Sequence, residues 1–274
     1  MLNRLEANKI LHEKILSEDP FMAARIGATE IKAILYPRLP KLLKIFFKKR
    51  FFSRMFELSG FFPSNEENII RFSEMMLIDM KKVDILGSWR IEENFFKDEL
   101  NNAIRIKLNA LEPYLHDEPW SKALEGKKVL VVHPFAELIY EQYKKRSFLF
   151  PNNNVLPNFE LSVIKAVQSL SGEKNPFENW FQALEFMKKE ISQKDFDIAL
   201  IGCGAYGFPL AAHTKKIGKQ SIHIGGSLQI LFGIKGARWN NHPIISKFYN
   251  EHWVRPRAED RPSKSHLVEN DCYW

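Results

Sequence analysis

Phe196-Asp-Ile-Ala-Leu-Ile-Gly-Cys-Gly-Ala-Tyr-Gly-Phe-Pro-Leu-Ala-Ala-His-Thr-Lys-Lys-Ile-Gly-Lys-Gln-Ser-Ile-His-Ile-Gly-Gly226 reads as strand, glycine turn, helix and strand. Phe196 to Ile201 is a short apolar run of the kind a parallel strand buried on both faces shows. Gly202, Gly204 and Gly207 follow at GxGxxG spacing, so Gly202 to Gly207, with Ala205 and Tyr206 between, forms a candidate phosphate cradle. Glycines let the backbone approach a ligand, and the free N–H groups opening a Phe208 to Ile217 helix favour an anion. Pro209 suits the first helical turn and Gly218 closes the helix. A dinucleotide site would need an acidic residue about 20 positions on to hold the ribose. Ser221-Ile-His-Ile-Gly-Gly226 stands there instead, which disfavours NAD and leaves a nucleotide or phosphate, with Gly225 and Gly226 as a second close approach.

The rest of the chain repeats the alternation of strand and helix. Strand candidates are Phe21 to Gly27, Val83 to Trp89, Ala103 to Leu108, Lys128 to Pro134 and Leu161 to Leu170. Helix candidates are Met1 to Ser17, Thr29 to Leu35, Phe135 to Lys145, Pro176 to Gln193 and Leu228 to Phe232. Ser64-Asn-Glu-Glu67 caps a further helix to about Lys82, with Ile69, Phe72, Met76 and Met80 on a buried face. An Asn/Glu/Phe-rich helix separates the second and third strands, and a short helix runs from Pro119 to Gly126. This order predicts one α/β domain over residues 1–274, an open, mainly parallel Rossmann-like sheet with helices on both faces and ligands at the carboxyl ends of the strands. From Val254 to Trp274 an extended tail ends in Cys-Tyr-Trp, aromatic enough to dock on the body.

At 45% hydrophobic and 27% charged, the composition is that of a globular protein. Charges run through Met1 to Lys9, where a signal peptide would be apolar, and no stretch approaches the roughly 18 apolar residues of a spanning helix. A cytoplasmic protein is expected. Cys203 and Cys272 lack the spacing of a zinc site or disulfide framework.

The formal charge of +7 is local. Residues 38–56 hold Arg38, Lys41, Lys44, Lys48, Lys49, Arg50 and Arg54 and no acid, leaving 33 basic and 33 acidic residues elsewhere. With Leu42, Ile45, Phe46 and further phenylalanines among them, the segment is basic and amphipathic. It reads equally as an interfacial helix drawn to anionic lipid at the inner face of the membrane, or as a surface helix packing its phenylalanines on the core. Nucleic acid is not expected, because a basic stripe on one helix lacks a binding motif.

Three strand ends should converge: Arg25-Ile-Gly-Ala-Thr-Glu30, His133-Pro134 and the glycine turn. Arg25 offers bidentate hydrogen bonds to a phosphate, Glu30 a metal ligand or base, and His133 a proton carrier. Each alone is more often structural, Arg25 and Glu30 as an ion pair and His133 as a satisfied core residue. Cys203 and His133 also offer a thiolate pair for a hydrolase or acyltransferase. No third orienting group is evident for that pair.

Residues Arg25 to Glu30, with the later unit from Asp197 to Gly226, resemble the GT-D-fold glycosyltransferases of bacterial glycan and polysaccharide assembly, which carry an Arg-Phe-Gly-Asp-Gly-Glu-like motif. The resemblance implies transfer of a sugar from a nucleotide-diphosphate donor to a glycan, lipid-linked or protein acceptor. It implies donor binding at Arg25, Gly27, Gly202, Gly204, Ala205, Tyr206, Gly207, Gly225 and Gly226. Glu30, His133 or Glu137 would take the acceptor proton, and Mn or Mg would be held in part by Glu30. Ala28 stands where the motif has aspartate, and one carboxylate holds a hard cation far less well than two. Without a metal, Arg25, Lys145 and Arg146 would stabilise the departing diphosphate. The same departure fits a member that binds a nucleotide sugar, or docks a partner at the membrane, without turnover.

Overall fold

In a computed structural model describing residues 1–274, the Phe47 side chain excepted, the alternation resolves into a seven-stranded sheet, β1 (Met22–Ala24), β2 (Ile85–Ser88), β3 (Ile104–Lys107), β4 (Lys128–His133), β5 (Glu160–Lys165), β6 (Ile198–Ile201) and β7 (Gln220–His223). The strand order is β3-β2-β1-β7-β6-β4-β5 and every pair is parallel. Strands β1, β2, β6 and β7 are buried at every residue, whereas the edge strands β3 and β5 carry exposed positions. The unbroken apolar runs are those of interior strands covered on both faces.

The period of two divides these strands between two cores. Ala23, Ile85, Val129, Val131, Leu200 and Ile222 face one layer, with α1 (Arg4–Leu16), α5 (Ala136–Tyr143) and α8 (Leu228–Leu231). Met22, Ala24, Leu86, Leu130, Val132 and Ile201 face the other, with α2 (Ala28–Leu35), α3 (Lys41–Ser59), α4 (Glu66–Met80), α6 (Trp180–Ser192) and α7 (Gly207–Lys216). Helix boundaries follow local chemistry. Asn65 and Asn179 accept the N3 amides of α4 and α6, and Gly60, at φ +65°, ends α3 in the left-handed conformation. Ile69, Phe72, Met76 and Met80 form the buried face of α4.

Some elements are shorter than their sequence patterns. Apolar residues up to Leu170 read as one strand, yet β5 stops at Lys165. The chain then turns through Ser169, whose hydroxyl donates to Gly60 O at 2.7 Å and meets the Tyr206 hydroxyl at 3.0 Å. A loop carrying apolar side chains into a covered cleft has a strand's composition. The Asn/Glu/Phe-rich segment is a 3₁₀ run, Ile91–Phe96, held by the wholly buried Glu93 carboxylate, which accepts from the Ser88 hydroxyl and from the Trp89 and Arg90 amides.

Connections after β4 and β6 leave in opposite directions, to β5 and to β7, so the carboxyl ends of these neighbours flank a crevice. Its tightness depends on Gly202. A Cβ there would stand 2.7 Å from Gly225 O and 2.9 Å from both the His133 ring and the Leu228 Cβ. Gly202→Ala should therefore cost about 1–3 kcal/mol by overpacking. Gly204 has φ +57°, and its nearest contact would be Ser59 O at 3.9 Å, so Gly204→Asn should stay within roughly 1 kcal/mol of the parent. Urea denaturation of both variants measures this, and equal losses would refute the assigned close approach.

Candidate functional site

Loops after all seven strands, together with the C-terminal segment, enclose a cavity of about 480 Å³ at the carboxyl edge of the sheet. Arg25 to Glu30 enter after β1, Trp89 after β2, Glu112 after β3, His133 to Phe135 after β4 and Gly202 to Tyr206 after β6. His223 to Ser227 enter after β7. The arrangement brings together Arg25, Gly27, Glu30, His133 and the glycine turns, which lie far apart in sequence.

Two arginines line this cavity, Arg238, which pairs with Glu269, and Arg25, which pairs with no carboxylate. The Arg25 guanidinium lies over the Trp89 ring at 5.0 Å, and Trp89 is itself fixed by its indole N–H donating to Ile26 O at 2.9 Å. Glycine at 225, with φ +79°, makes room for it, because a Cβ there would stand 3.1 Å from a guanidinium nitrogen. The expected alternative, an Arg25–Glu30 ion pair, does not form. Among the described residues no carboxylate lies within 4.0 Å of Arg25, and its buried Nε has no hydrogen-bond partner. Glu30 instead folds back over the N-cap of α2, where a Cβ on Gly27 would come within 1.8 Å of its Oε2.

The glycines divide by what they admit. Gly202 admits the crossing of two turns, Gly207 the His223 ring and Gly226 the Tyr273 ring, where a Cβ would stand 2.1 Å and 2.2 Å from the respective rings. Gly226 lines the cavity, and its smallness also makes room for the Tyr273 ring of the C-terminal segment. Gly204 alone of the turn faces open space, at the head of a 3₁₀ turn, Gly204–Tyr206, that runs into α7. The Gly207 amide that opens that helix already donates to Gly204 O, and the turn stands at the positive end of the helix dipole. Ala205 and Tyr206 belong to this turn, but the Tyr206 ring is occupied, stacked on Trp180 at 4.8 Å.

Two histidines end β4 and β7, the strands on either side of β6, in opposite tautomers. The Phe135 amide donates to His133 Nδ1 at 3.0 Å, so the neutral ring carries its proton on Nε2. His223 Nδ1 lies 3.1 Å from Ile201 O and donates to it, leaving Nε2 as an acceptor. Burial pushes the pKa of His133 down to about 3, and burial followed by the Arg25 charge does the same to His223. His133 thus offers a hydrogen-bond donor rather than a base. Glu112, half-buried, lines the same cavity. Burial pushes its carboxyl up, against the opposing pull of the Ser227 and Tyr114 groups and the Arg25 charge.

Several expected participants stand elsewhere. Glu137 is exposed on α5 and pairs with Lys165 at 3.4 Å, outside the cavity wall, so its reading as a proton acceptor is corrected. Lys145 and Arg146 also lie outside the wall, with Arg146 over the Tyr143 ring at 5.2 Å. Cys203 lines the wall but is buried among apolar side chains, which push its thiol far up and leave no thiolate for a hydrolase or acyltransferase. His223 was legible by the rule that singled out His133, a histidine ending an apolar strand. Glu112 and Trp89 had no such signal, since they depend on how loops fold after β3 and β2.

A metal centre can be tested on the donor set. Among the described residues no group of three or more His, Cys, Asp or Glu side chains could hold an ion. Ala28 contributes no ligand, and Glu30 rests on its own helix cap. The residues present do not make a preformed Mn or Mg site.

Fold and cavity define an α/β protein of the Rossmann-like class with a cavity at the carboxyl edge of its sheet. No family model matches the chain, and no curated protein matches it. Among solved structures, a selenomethionine-substituted domain of unknown function 1792 matches over 92% of this chain and 99% of that chain, at 13% identity and a TM-score of 0.41, a likeness too distant to assign a function.

The two histidines make stability depend on pH. An unfolded histidine takes up its proton near 6.5, so between about 6.5 and 3 the unfolded chain binds more protons, and folding weakens as pH falls through that window. Each ring contributes a slope of up to about 1.4 kcal/mol per pH unit. His223→Gln should show a shallower loss of unfolding free energy than the parent between about pH 6.5 and 5. A slope as steep as the parent's would show that His223 does not fold as a buried neutral group.

Proposed function

We propose that the cavity binds a nucleotide-diphosphate sugar and that the protein transfers the sugar to a hydroxyl group of a glycan, lipid-linked or protein acceptor. The observation that carries this reading is the Arg25 guanidinium, held on Trp89 without a carboxylate partner, in the cavity that the Gly204–Tyr206 turn before α7 also lines. A cation and a helix N-terminus directed into one covered cavity suit a bound anion. The motif resemblance at Arg25 to Glu30 supports the sugar nucleotide as that anion.

Transfer would form a bond from the acceptor oxygen to the anomeric carbon and break the bond from that carbon to the diphosphate oxygen. Charge then grows on the leaving diphosphate, where Arg25 and the positive end of the α7 dipole offset it. The acceptor proton passes to a carboxylate. Glu112 suits that role because burial raises its proton affinity toward the working pH, and Glu30 is the second candidate. His133, protonated on Nε2, donates to a donor or acceptor oxygen. With no preformed cation site, no step is assigned to a metal.

Ala28 supports a second reading, a protein that binds the donor without turning it over. Calorimetry with a panel of nucleotide-diphosphate sugars, each with Mn or with EDTA, tests binding, and chromatography of released nucleoside diphosphate tests transfer. Arg25→Gln should weaken binding by about 1.5–3 kcal/mol, the worth of hydrogen bonds to a charged group. Gly204→Asp, which places a negative charge where the phosphates would lie at a backbone cost of about 1 kcal/mol, should weaken it at least as much. Glu112→Gln should keep binding and lose transfer. Binding by the parent with no released nucleotide supports the second reading. Unchanged affinity in both Arg25→Gln and Gly204→Asp sinks the site.

A further inference from the structure

Helix α3 has two halves of different character. Its second half is built into the fold: Met55 is buried, Phe51 stacks on Tyr36 at 5.1 Å, and a Cβ on Gly172 would meet the Phe56 ring at 2.5 Å. Leu58 and Ser59, in its last turn, reach the cavity wall. These contacts are what a surface helix packing its phenylalanines on the core would make. Its first two turns do the opposite, with Leu42, Ile45 and Phe46 65%, 73% and 72% exposed and Leu43 40% exposed. Large apolar groups held together in water mark a surface that is covered in use.

Charge identifies the cover. Residues 38–56 carry seven basic groups and no acid, the whole formal excess of the protein. Arg38 and Lys48 are partnered, with Glu99 at 3.4 Å and Glu66 at 2.8 Å, and Lys44 lies over the Tyr36 ring. Lys41, Lys49 and Arg50 are exposed beside the apolar group, and among the described residues none pairs with an acid. We propose that the first two turns of α3 dock on an anionic lipid bilayer, inserting Leu42, Ile45 and Phe46 between headgroups while Lys41, Lys49 and Arg50 lie against the lipid phosphates. A second copy of the chain is a poor cover, because it would bring two sets of unneutralised cations together. Nucleic acid would use the cations but give insertion of the aliphatic groups no role. No helix among the described residues is long and apolar enough to cross a membrane, so the contact is peripheral.

The full chain is centrifuged with vesicles of phosphatidylcholine alone and of phosphatidylcholine with equimolar phosphatidylglycerol. The parent should bind the anionic vesicles and be released as salt is raised. Two triple variants separate the contributions: Leu42→Ser/Ile45→Ser/Phe46→Ser, and Lys41→Glu/Lys49→Glu/Arg50→Glu. Each should lower anionic-vesicle partition more than about tenfold, with an unchanged melting temperature because the replaced groups make no internal pairs. The Lys48 pair with Glu66 is left intact in both. Failure of the parent to bind anionic vesicles, or equal binding by the serine variant, overturns the proposal. Self-association in the absence of lipid that the serine variant abolishes also overturns it, in favour of a second copy as the cover.

Discussion

The close approach of the turns after β6 and β7 is the constraint on which the site depends. A Cβ at Gly202 would clash with the Gly225 carbonyl and Leu228, both in the segment after β7, and with the His133 ring at the end of β4. A side chain there would force the turns apart, and the cavity wall they share would open. Gly207 imposes the same condition one helical turn later, because the His223 ring lies where its Cβ would be. Interiors pack too closely to absorb such a change by expansion. Sheet order, helix start and histidine placement are therefore one geometric condition, met by hydrogen atoms at two positions.

Electrostatics in the cavity follow from that packing. Burial holds both histidines neutral, and the Arg25 charge reinforces this at His223. The rings add hydrogen-bonding capacity without adding charge. Arg25 keeps its cation unpaired by any carboxylate while it lies over the Trp89 ring, which shields it from water on that side. The Glu93 carboxylate is part of this arrangement although it touches no cavity atom: by accepting from the Trp89 and Arg90 amides it fixes the turn that presents Trp89.

Strand and helix positions were legible because interior parallel strands are apolar throughout and the helices carry their own caps. Asn65, Asn179 and Gly60 mark ends that any reader of side-chain chemistry would find. The glycine spacing was legible too, but its meaning was not. Glycine signals only that something comes close, and at Gly202, Gly207 and Gly226 that something is the protein itself. Sequence also proposed Glu137 from its place at the start of a helix after β4, although the helix turns that side chain outward to Lys165. Glu112 illustrates the converse. Its environment combines its near neighbour Tyr114 with Ser227 and the Arg25 charge, the last two brought in from distant parts of the chain, which no local pattern encodes.

The C-terminal segment completes the wall and limits how a ligand can enter. Tyr273 covers Gly226, its backbone carbonyl accepts from the Gln229 amide at 3.1 Å, and Trp274 meets Phe135 edge-on at 6.3 Å. The second glycine pair is thus split: Gly225 lies beside Arg25, while Gly226 lies beneath an aromatic ring. Gly204 is the exposed position of the glycine turn, whereas Gly226 is closed over by Tyr273. Arg238, over the same Tyr273 ring at 5.0 Å and adjoining the cavity, adds a second cation at that boundary. Unlike Arg25 it is already paired, with Glu269, so the attraction for an anion remains centred on Arg25.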